Sequence, residues 1–350
     1  MKKILLSIFI TLIFGSLFYW VFFGGLFSNV FGSQVVKNNQ NAQVLEPLNF
    51  KEKEPDYVVL TFAGDVMFDR GVKGSVNKNF NGDLDELFKN VRIDDKAGQL
   101  EIFQNDDISF LNLEGPVSDV GHNVGSIYSF RMNPTVISLL KNLGIDIVSF
   151  ANNHVGDYTT LAFSDTLNRL TSGGILFTGA GENYLDAQKP QIIENNNIKV
   201  CYLGFSDVGP DWMQATEKSP GILLASDPDF ENIIKSVESQ CDTLIVSIHW
   251  GEEYQKHNAR QTYLAHLAID NGADIIAGHH PHVVQDIEIY KDKVIIYSLG
   301  NFMFDQYFSA ETMQGLIVQL KVYKTGEIKD IKQYTSQQNK LYQIESITEK

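Results

Sequence analysis

The feature that most constrains the fold is a series of short apolar runs that alternate with helix-like patterns from Tyr57 onward. This alternation is typical of α/β proteins, in which strands and helices pack in layers around a shared core. Of the 350 residues, 43% are hydrophobic and 20% are charged, which is enough apolar material for a large core. We therefore predict an α/β fold with strands at Val58–Ala63, Ile108–Leu113, Ile145–Phe150, Val200–Phe205, Thr243–Ile248, Asp274–Ala277 and Val294–Leu299.

Helix ends can be read between these strands. Asn and Asp are favoured just before a helix, proline in its first turn, and glycine just after its end. The predicted helices begin at Asn133–Pro134, at Asp227–Pro228 and near Asn258, and glycines follow the first and the third at Gly144 and Gly272.

Polar residues follow the predicted strands, at the point where each strand ends. Because the carboxyl ends of strands in an open α/β sheet converge on the ligand crevice, residues far apart in the chain can meet there. Five of the eight histidines lie at these positions, which predicts a functional site at one edge of the sheet. The positions are Gly64–Asp65, Glu114, Asn152–His154, His249, His279–His282 and Asn301.

The residue types at these strand ends predict a metal site. Carboxylate, amide and imidazole groups bind first-row divalent ions, and the absence of cysteine from the set argues against a structural zinc site. Two ions about 3.5 to 4 Å apart would share a bridging carboxylate and activate a common water. These residue types do not distinguish Mn, Fe, Zn and Mg. The candidate ligands are Asp65, Glu114, Asn153, His249, His280 and His282.

The charge balance limits the partners. The chain has 28 Lys and Arg against 43 Asp and Glu, which gives a net charge of −15. Such a field repels phosphate backbones, so the sequence predicts no nucleic-acid partner. For the same reason, the main domain is expected to stand off anionic membrane surfaces.

The chain has two cysteines, Cys201 and Cys241, and each opens an apolar stretch. This placement favours buried free thiols, with one bridge between neighbouring strands as the alternative. Their spacing offers no zinc-knuckle pattern.

The N-terminal segment predicts a membrane anchor. No charged residue lies between Ile4 and Val36, and Ile4–Phe27 is almost wholly apolar, about the 20 residues that cross a bilayer as a helix. A cleaved signal peptide is the alternative. Its apolar region is normally shorter and ends in small residues, a pattern that Gly24–Phe27 does not supply.

The charges around this segment predict its orientation. Lys2 and Lys3 precede it, and the next charge is Lys37. The positive-inside tendency therefore predicts a single-pass protein of the plasma membrane with a cytoplasmic N-terminus and an extracellular main domain. The chain then divides into a cytoplasmic end and anchor at 1–36, a polar linker at 37–56, a main domain at 57–330 and a polar C-terminal tail at 331–350.

Short motifs surround the strand ends: GDVMFDR at 64–70, NLEGP at 112–116, SFANNH at 149–154, HWG at 249–251, GHHPH at 278–282 and SLGNF at 298–302. Together they resemble the CapA-type poly-γ-glutamate capsule biosynthesis proteins of bacteria, over about residues 58–321. That family is in turn similar to calcineurin-like metallophosphoesterases. The resemblance implies a metallophosphoesterase-like β-sandwich flanked by helices, preceded here by one transmembrane helix, and a site for two divalent metal ions.

The resemblance also implies roles for single residues. Asp65 matches the first-strand metal carboxylate, and Glu114 stands where phosphoesterases usually carry a bridging Asp. Asn153 matches the asparagine ligand of the second metal, and His154 matches the catalytic histidine that protonates the leaving group. The remaining imidazole ligands match His249, His280 and His282.

One position departs from the phosphoesterase pattern. Those enzymes carry a histidine two positions after the first Asp, where this chain has Met67. A thioether is a poor ligand for hard ions, so one metal position is expected to be weak unless Asp69 substitutes.

Further candidates for substrate binding or an auxiliary role are Asp69, Arg70, Arg131 and Asn301. The planar guanidinium of Arg131 would suit an anionic substrate, and an ordinary ion pair within its loop is the alternative. His279, by contrast, is expected to be a structural neighbour of the ligands.

Three functions are consistent with these features. The resemblance implies a membrane-anchored, outward-facing protein of poly-γ-glutamate biosynthesis or export, with an anionic polymer as substrate and polymer-synthase membrane subunits as partners. One alternative is a metal-dependent phosphoesterase-type hydrolase, in which a metal-bound hydroxide attacks a phosphoester and His154 protonates the leaving oxygen. The other is a non-catalytic binding or scaffold subunit. His154 favours chemistry, whereas Met67 and Glu114 favour the scaffold.

Overall fold

The fold is described from a computed structural model, which covers residues 56–91, 101–103 and 106–350. The predicted anchor at Ile4–Phe27 and the linker up to residue 55 lie outside these described residues. Within the described ranges, no helix has both the length and the apolar character needed to cross a bilayer.

Helices and strands alternate along the described chain. The α-helices are α1 Arg70–Asn79, α2 Thr135–Leu143, α3 Thr159–Gly173, α4 Tyr184–Ala187, α5 Phe230–Glu238 and α6 Ala259–Asp270. The strands are β1 Tyr57–Val66, β2 Ile108–Leu113, β3 Ile147–Ser149, β4 Leu176–Thr178, β5 Ala180–Gly181, β6 Gln191–Asn195, β7 Ile198–Ser206, β8 Gly221–Ile222, β9 Thr243–His249, β10 Ile275–His279, β11 Ile287–Tyr290, β12 Lys293–Ile296, β13 Asn301–Met303, β14 Gln314–Tyr323, β15 Ile328–Gln338 and β16 Ile344–Glu349.

The strands form two large sheets. The first has eight strands in the order β16-β15-β14-β1-β2-β3-β4, with β13 pairing with β1 beside this path. The second has six strands in the order β11-β12-β10-β9-β7-β6. Strands β1 to β4 run parallel, and so do β7, β9, β10 and β12. A short pair, β5 and β8, forms a separate ribbon.

The two sheets share a core and carry helices on their outer faces. Val58, Phe62 and Ile108 of the first sheet belong to one buried cluster with Val200 and Ile245 of the second. Another cluster joins the first sheet to α1, α2 and α3, and a third joins the second sheet to α5 and α6. The predicted α/β fold, with two sheets between layers of helices, is therefore confirmed.

Strand β9 shows why the apolar runs became strands. All of its residues are buried, with Leu244, Val246 and Ile248 in the cluster of α5 and α6 and Ile245 in the cluster between the sheets. Successive side chains of a strand point to opposite faces, so a strand covered on both faces needs apolar residues at most of its positions. Its last residue, His249, ends this run at the edge of the sheet.

The predicted helix ends are close to those observed. The side chain of Asn133 accepts a hydrogen bond from the backbone N–H of Thr135, at 2.9 Å, and Gly144 ends α2 with a left-handed φ of 93°. Helix α6 begins after Asn258, which forms a reciprocal capping box with Gln261.

The parallel strands begin with a repeated aspartate contact that the sequence did not reveal. Each of four aspartates precedes a strand, and its backbone N–H and its carboxylate both bind the same residue of the neighbouring strand. The carboxylate accepts that residue's backbone N–H at 2.8 to 3.0 Å, which satisfies a donor at the strand's start. We name these the strand-start aspartates; the pairs are Asp107 with Val59, Asp146 with Ser109, Asp242 with Lys199 and Asp274 with Leu244.

The two cysteines form a disulfide, so the prediction of free thiols is wrong. Cys201 lies on β7 and Cys241 lies just before β9, with their Cα atoms 5.8 Å apart. Strands β7 and β9 are hydrogen-bonded neighbours with Cys201 opposite Leu244. The pair is therefore the bridge between neighbouring strands that the sequence left as the alternative.

The C-terminal residues are part of the first sheet, which corrects the predicted polar tail at 331–350. Strands β15 and β16 pair antiparallel with each other, and β15 pairs with β14. Their side chains are largely polar and exposed or half-buried, and β16 is the edge strand of the sheet with β15 beside it. A polar edge strand lacks the apolar run on which the prediction depended.

Candidate metal centre

Asp65 occupies the end of β1, where two segments of backbone come together. A Cβ atom at Gly64 would lie 2.0 Å from the carbonyl oxygen of Gly300, so only glycine allows this approach. The backbone N–H of Asp65 donates to the same carbonyl oxygen at 2.9 Å. The close contact fixes Asp65 beside the start of β13.

The Asp65 carboxylate is fully buried and has several hydrogen-bond donors. Asn112 Nδ2 lies 2.8 Å and His279 Nδ1 lies 3.1 Å from its Oδ1, and the backbone N–H of His280 donates to its Oδ2 at 3.2 Å. Burial alone would raise the pKa of Asp65, but the hydrogen bonds from the side chains of His279 and Asn112 help to lower it below its ordinary value. Asp65 is therefore an ionised carboxylate in contact with His279 Nδ1, and the Nε2 atom of His279 is buried without a hydrogen-bond partner among the described residues.

Glu114 follows β2 and has a different environment. Its side chain is fully buried, and its Oε1 has no hydrogen-bond partner among the described residues. The nearest imidazole nitrogens are His282 Nε2 at 3.7 Å and His154 Nε2 at 3.8 Å. Burial, and then the charge of Asp65, raise the pKa of Glu114 well above its ordinary value. A buried acceptor left without a donor is costly, so this oxygen calls for an explanation.

Three predicted histidine ligands surround these acids. His249 Nε2 lies 2.8 Å from Asn153 Oδ1, and the rings of His249 and His280 have centroids 4.8 Å apart. His282 Nδ1 lies 2.9 Å from Asn301 Oδ1. The Nδ1 atom of His280 is buried and has no hydrogen-bond partner among the described residues. The structure thus brings Asn153 and all three imidazoles to the same edge.

Burial keeps these imidazoles neutral. It lowers the pKa of His249 well below the ordinary value and that of His280 to about 4, and in both cases a neighbouring histidine lowers the pKa further. Burial also lowers the pKa of His282. A neutral imidazole presents the lone pair that a metal ion requires.

The donor set fits a divalent cation. Ligand atoms of Asp65, Glu114 and His282 lie within 4.8 Å of one another, and so do those of Glu253, His280 and His282. His282 belongs to both groups, and the unpartnered oxygen of Glu114 and nitrogen of His280 are atoms that a cation would satisfy. We call Asp65, Glu114, Asn153, His249, Glu253, His280 and His282 the imidazole–carboxylate cluster.

Sequence reasoning missed Glu253 as a member of this cluster. It is an exposed residue in the loop after β9, four positions beyond His249, and does not directly follow a strand. The acidic pair Glu252–Glu253 close behind a histidine motif was the available signal. The loop returns to the site because the backbone N–H of Tyr254 donates to Pro281 O at 2.8 Å.

His154 lies beside the cluster and contacts a carboxylate, and the sequence analysis predicted only the histidine of this pair. Its Nδ1 lies 2.8 Å from Asp157 Oδ2, and the same oxygen accepts the backbone N–H of Phe130 at 2.8 Å. The Phe130 ring packs on the imidazole with centroids 3.9 Å apart. A carboxylate on Nδ1 favours the tautomer with its proton there, which leaves Nε2 facing Glu114. Asp157 had not been singled out.

Two of the other candidates lie away from the cluster. Asp69 Oδ2 accepts the backbone N–H of Arg131 at 2.8 Å, and Lys73 lies 3.4 Å from its Oδ1. The guanidinium of Arg131 donates to the carbonyl of Val120 at 3.2 Å and lies over the ring of Tyr158, and among the described residues it forms no ion pair. The structure therefore does not bring Asp69 or Arg131 to the site.

Met67 is a packing residue. Its buried side chain forms a small cluster with Phe130 and Phe304, and its Sδ accepts the backbone N–H of Asp69 at 3.0 Å. Because the Asp69 carboxylate contacts Arg131 and Lys73, it does not replace the histidine that phosphoesterases carry at the position of Met67.

Arg70 and Asn301 do reach the site. Arg70 lines a cavity of about 270 Å³ together with His154, Glu253 and His282. Asn301 Oδ1 accepts a hydrogen bond from His282 Nδ1, and its own Nδ2 donates to the carbonyl of Thr312 at 2.9 Å. Asn301 thereby orients one imidazole of the cluster.

The comparisons with known proteins agree with these motifs. The model of the family "Bacterial capsule synthesis protein PGA_cap" matches residues 59–306, a span that contains the strand-end motifs from Gly64 to Phe302. The chain belongs to this family. Within it, the "PGA biosynthesis protein CapA" of Bacillus subtilis is 33% identical over 280 residues, which cover 79% of this chain and 70% of that relative.

Other relatives are similar over comparable spans. The "Capsule biosynthesis protein CapA" of Bacillus anthracis is 32% identical over 297 residues, covering 82% of this chain and 69% of the relative. A "Probable polyglutamine synthesis accessory protein" of Mycobacterium tuberculosis is 27% identical over 286 residues, covering 72% and 75%. A solved phosphatase structure from Mycoplasma pneumoniae covers 80% of this chain and 93% of its own at 15% identity, with a TM-score of 0.46 that is too low to support an inference.

Proposed function

We propose that this chain is an anchored, outward-facing component of poly-γ-glutamate biosynthesis or export that uses two divalent metal ions. Its family is a capsule synthesis family, and the names of its relatives in Bacillus subtilis and Mycobacterium tuberculosis refer to PGA and to polyglutamine synthesis. Membrane subunits of a polymer synthase are the proposed partners. The anchor is the apolar segment Ile4–Phe27.

One observation carries the metal part of this proposal. Glu114 Oε1 and His280 Nδ1 are buried and unpartnered among the described residues, in a cluster whose other imidazoles are kept neutral by burial. Folding rarely leaves such atoms unsatisfied unless a ligand satisfies them. The imidazole–carboxylate cluster would hold the ions, and these would act as Lewis acids toward a substrate oxygen.

The residues of the chain itself support a hydrolase as the second candidate function. Asp157 holds His154 Nδ1–H, so that Nε2, once it has taken up a proton, can deliver that proton to a leaving group beside the cluster. Phe130 packs on the imidazole ring and fixes its plane. The substrate would be a phosphoester or an amide that enters the cavity lined by Arg70 and His154.

The disulfide supports the outward placement of the main domain. Structural disulfides persist in oxidising compartments and are rare in the cytosol. The Cys201–Cys241 bridge joins two neighbouring strands of the second sheet. A domain on the outer side of the membrane would keep this bridge.

The test is to measure metal content and polymer production for the wild-type chain and for Glu114→Gln. We expect divalent metal to copurify with the wild type and to raise its thermal midpoint, because a ligand that binds only the native state stabilises it. Glu114→Gln should lose most of that metal and the rise. Exposed Glu194→Gln on β6 is the matched control and should retain both.

Cells that carry Glu114→Gln in place of the wild type should make less polymer. Equal metal content in wild type and Glu114→Gln would remove Glu114 from the site. Unchanged polymer production in cells that lack the whole chain would overturn the proposed function.

A further inference from the structure

A small cavity opens beside the imidazole–carboxylate cluster and has two kinds of wall. His154, Glu253 and His282 lie on the side of the cluster. Aromatic rings, among them Phe130 and Phe308, form much of the remainder. Its volume of about 270 Å³ lies just below the range of pockets that take a whole small ligand. A cavity of this size fits one side group of a larger substrate.

Arg70 is the cation of this cavity, and it is held rigidly. Asp305 binds its guanidinium through both Nε and Nη2, the former at 2.9 Å, and the Phe130 ring lies 4.7 Å from its central carbon. Among the described residues, its third nitrogen, Nη1, has no hydrogen-bond partner. A fixed guanidinium with free N–H groups loses little side-chain freedom when it binds a planar anion.

The backbone conformation of Arg70 also indicates that the surrounding structure holds this residue in one position. Its φ is 47°, a left-handed conformation that side chains other than glycine rarely adopt. Such strain persists only where the surrounding structure imposes it. Here Asp305 contributes twice, because its carboxylate also accepts the backbone N–H of Gly71 at 3.0 Å.

We propose that this cavity is a subsite for a single carboxylate on a short apolar stem, with Arg70 as the residue that selects it. The proposal rests on the proposed function, because a polymer of glutamate presents such a group at every unit. The free edge of the guanidinium binds the carboxylate, and the rings of Tyr128, Phe130 and Phe308 contact the methylene groups of the stem.

The charges around Arg70 favour a carboxylate over a phosphate. Glu253 and Asp305 line the cavity. These acids repel a phosphate dianion more strongly than a monoanion. Aromatic walls also favour a group with an apolar stem over a compact inorganic ion.

The test uses glutaramate, which has one carboxylate and one amide, and glutaramide, which has the same shape without the charge. Binding to the full-length chain is measured in the presence of a chelator, so that metal ions cannot anchor either probe. We expect the wild type to bind glutaramate at least tenfold more tightly than glutaramide or inorganic phosphate. Arg70→Met should remove that preference. Phosphate binding as tightly as glutaramate would overturn the assignment to a carboxylate.

Arg260→Met is the matched control because Arg260 also pairs with an aspartate, Asp207, and lies over a tyrosine ring, but away from this cavity. It should bind glutaramate as the wild type does. Arg70→Met leaves Asp305 without its partner, which could destabilise the fold. The double variant Arg70→Gln with Asp305→Asn removes both charges together. It should lose the preference for glutaramate, with a thermal midpoint nearer to that of the wild type.

The result is independent of the metal and polymer measurements with Glu114→Gln. Preference for glutaramate together with unchanged polymer production in cells that lack the whole chain would leave the subsite standing and reject the proposed function. Wild-type binding of glutaramate by both Arg70 variants would reject the subsite alone.

Discussion

At the edge of the sandwich where the parallel strands begin, each strand-start aspartate accepts a backbone N–H of the neighbouring strand. At the opposite edge, Glu114 keeps a buried oxygen, and His280 a buried nitrogen, without a hydrogen bond among the described residues. Both edges bury polar groups at strand ends. The first edge satisfies these backbone N–H groups within the chain, although Thr243 Oγ1 there has no partner among the described residues, whereas the second leaves two atoms that could bind a cation.

The two edges are therefore expected to affect different properties: the strand-start edge affects the free energy of unfolding, and the strand-end edge affects metal binding and turnover. The strand-start edge also carries the Cys201–Cys241 bridge, next to Asp242. Changes at that edge should lower the free energy of unfolding and leave metal binding intact. Changes at the strand-end edge should alter metal content or turnover more than the free energy of unfolding.

The largest effect is expected for His154→Ala at the strand-end edge. If the site hydrolyses a substrate, this change should lower turnover about 10² to 10⁴-fold on a poor leaving group, the usual size of a general-acid contribution. The loss should be much smaller on a leaving group that departs without a proton, such as 4-nitrophenolate. Metal content should stay that of the wild type. A variant that loses its metal would show that His154 is a ligand.

The next effect is expected at the other edge, for Cys241→Ser. The bridge closes a loop with a sequence separation of 40 residues. Loop-closure entropy for such a loop corresponds to about 4 kcal/mol. Urea unfolding should show a loss of that order, with metal content unchanged. Equal stability of the oxidised wild type and Cys241→Ser would contradict a stabilising role for the bridge.

A smaller loss is expected for Asp107→Ala, which leaves the backbone N–H of Val59 without its acceptor. An unsatisfied backbone donor costs about 1 to 3 kcal/mol. Asp119→Ala is the control, because it removes only an exposed ion pair with Arg169 and should change stability by less than about 1 kcal/mol. If the two variants unfold at the same urea concentration, the strand-start contact adds no stability.

The last effect is a change in the pH dependence of stability, at Asp106. Burial raises the pKa of Asp106 from an ordinary 3.8 to about 7. The folded state therefore holds a proton that the unfolded state releases, and the resulting stability is present below about pH 4 and is lost as pH rises to about 7. The slope is at most about 1.4 kcal/mol per pH unit.

Asp106→Asn should remove that slope. Urea unfolding at pH 5, 6 and 7 would show wild type and variant drawing apart as pH rises, with the variant gaining in relative stability. The hydroxyl of Ser109, which donates to Asp106 Oδ2 at 2.6 Å, retains an acceptor in the asparagine. Parallel pH profiles for the two proteins would show that Asp106 is ionised in the folded state.

The strand-end residues could be predicted because two signals coincide there. Asp65, Glu114 and His249 each follow an apolar run, and the carboxyl ends of parallel strands meet at one edge. Neither signal applies to Glu253 or Asp157, which reach the site through turns within loops. Their positions depend on contacts such as the Phe130 amide on Asp157, and such contacts exist only in the folded chain.

The strand-start edge was less readable, although its residues are plain in the sequence. An aspartate before an apolar run has many possible partners, and its acceptor role depends on which strand lies beside it. The same holds for Cys201 and Cys241, whose bridge depends on the register of β7 and β9. Strands β15 and β16 were missed because the edge strand β16 and its neighbour β15 are largely polar and contain no continuous apolar run.

The single oxygen of Asp157 that holds both His154 and the Phe130 amide has a mechanical consequence. Phe130 ends a surface loop whose residues Ile127 and Tyr128 are exposed to solvent. A displacement of that loop pulls on the oxygen that sets the imidazole's angle, so the two cannot move independently. A contact that moves the surface loop is therefore expected to change the angle of the His154 imidazole as well.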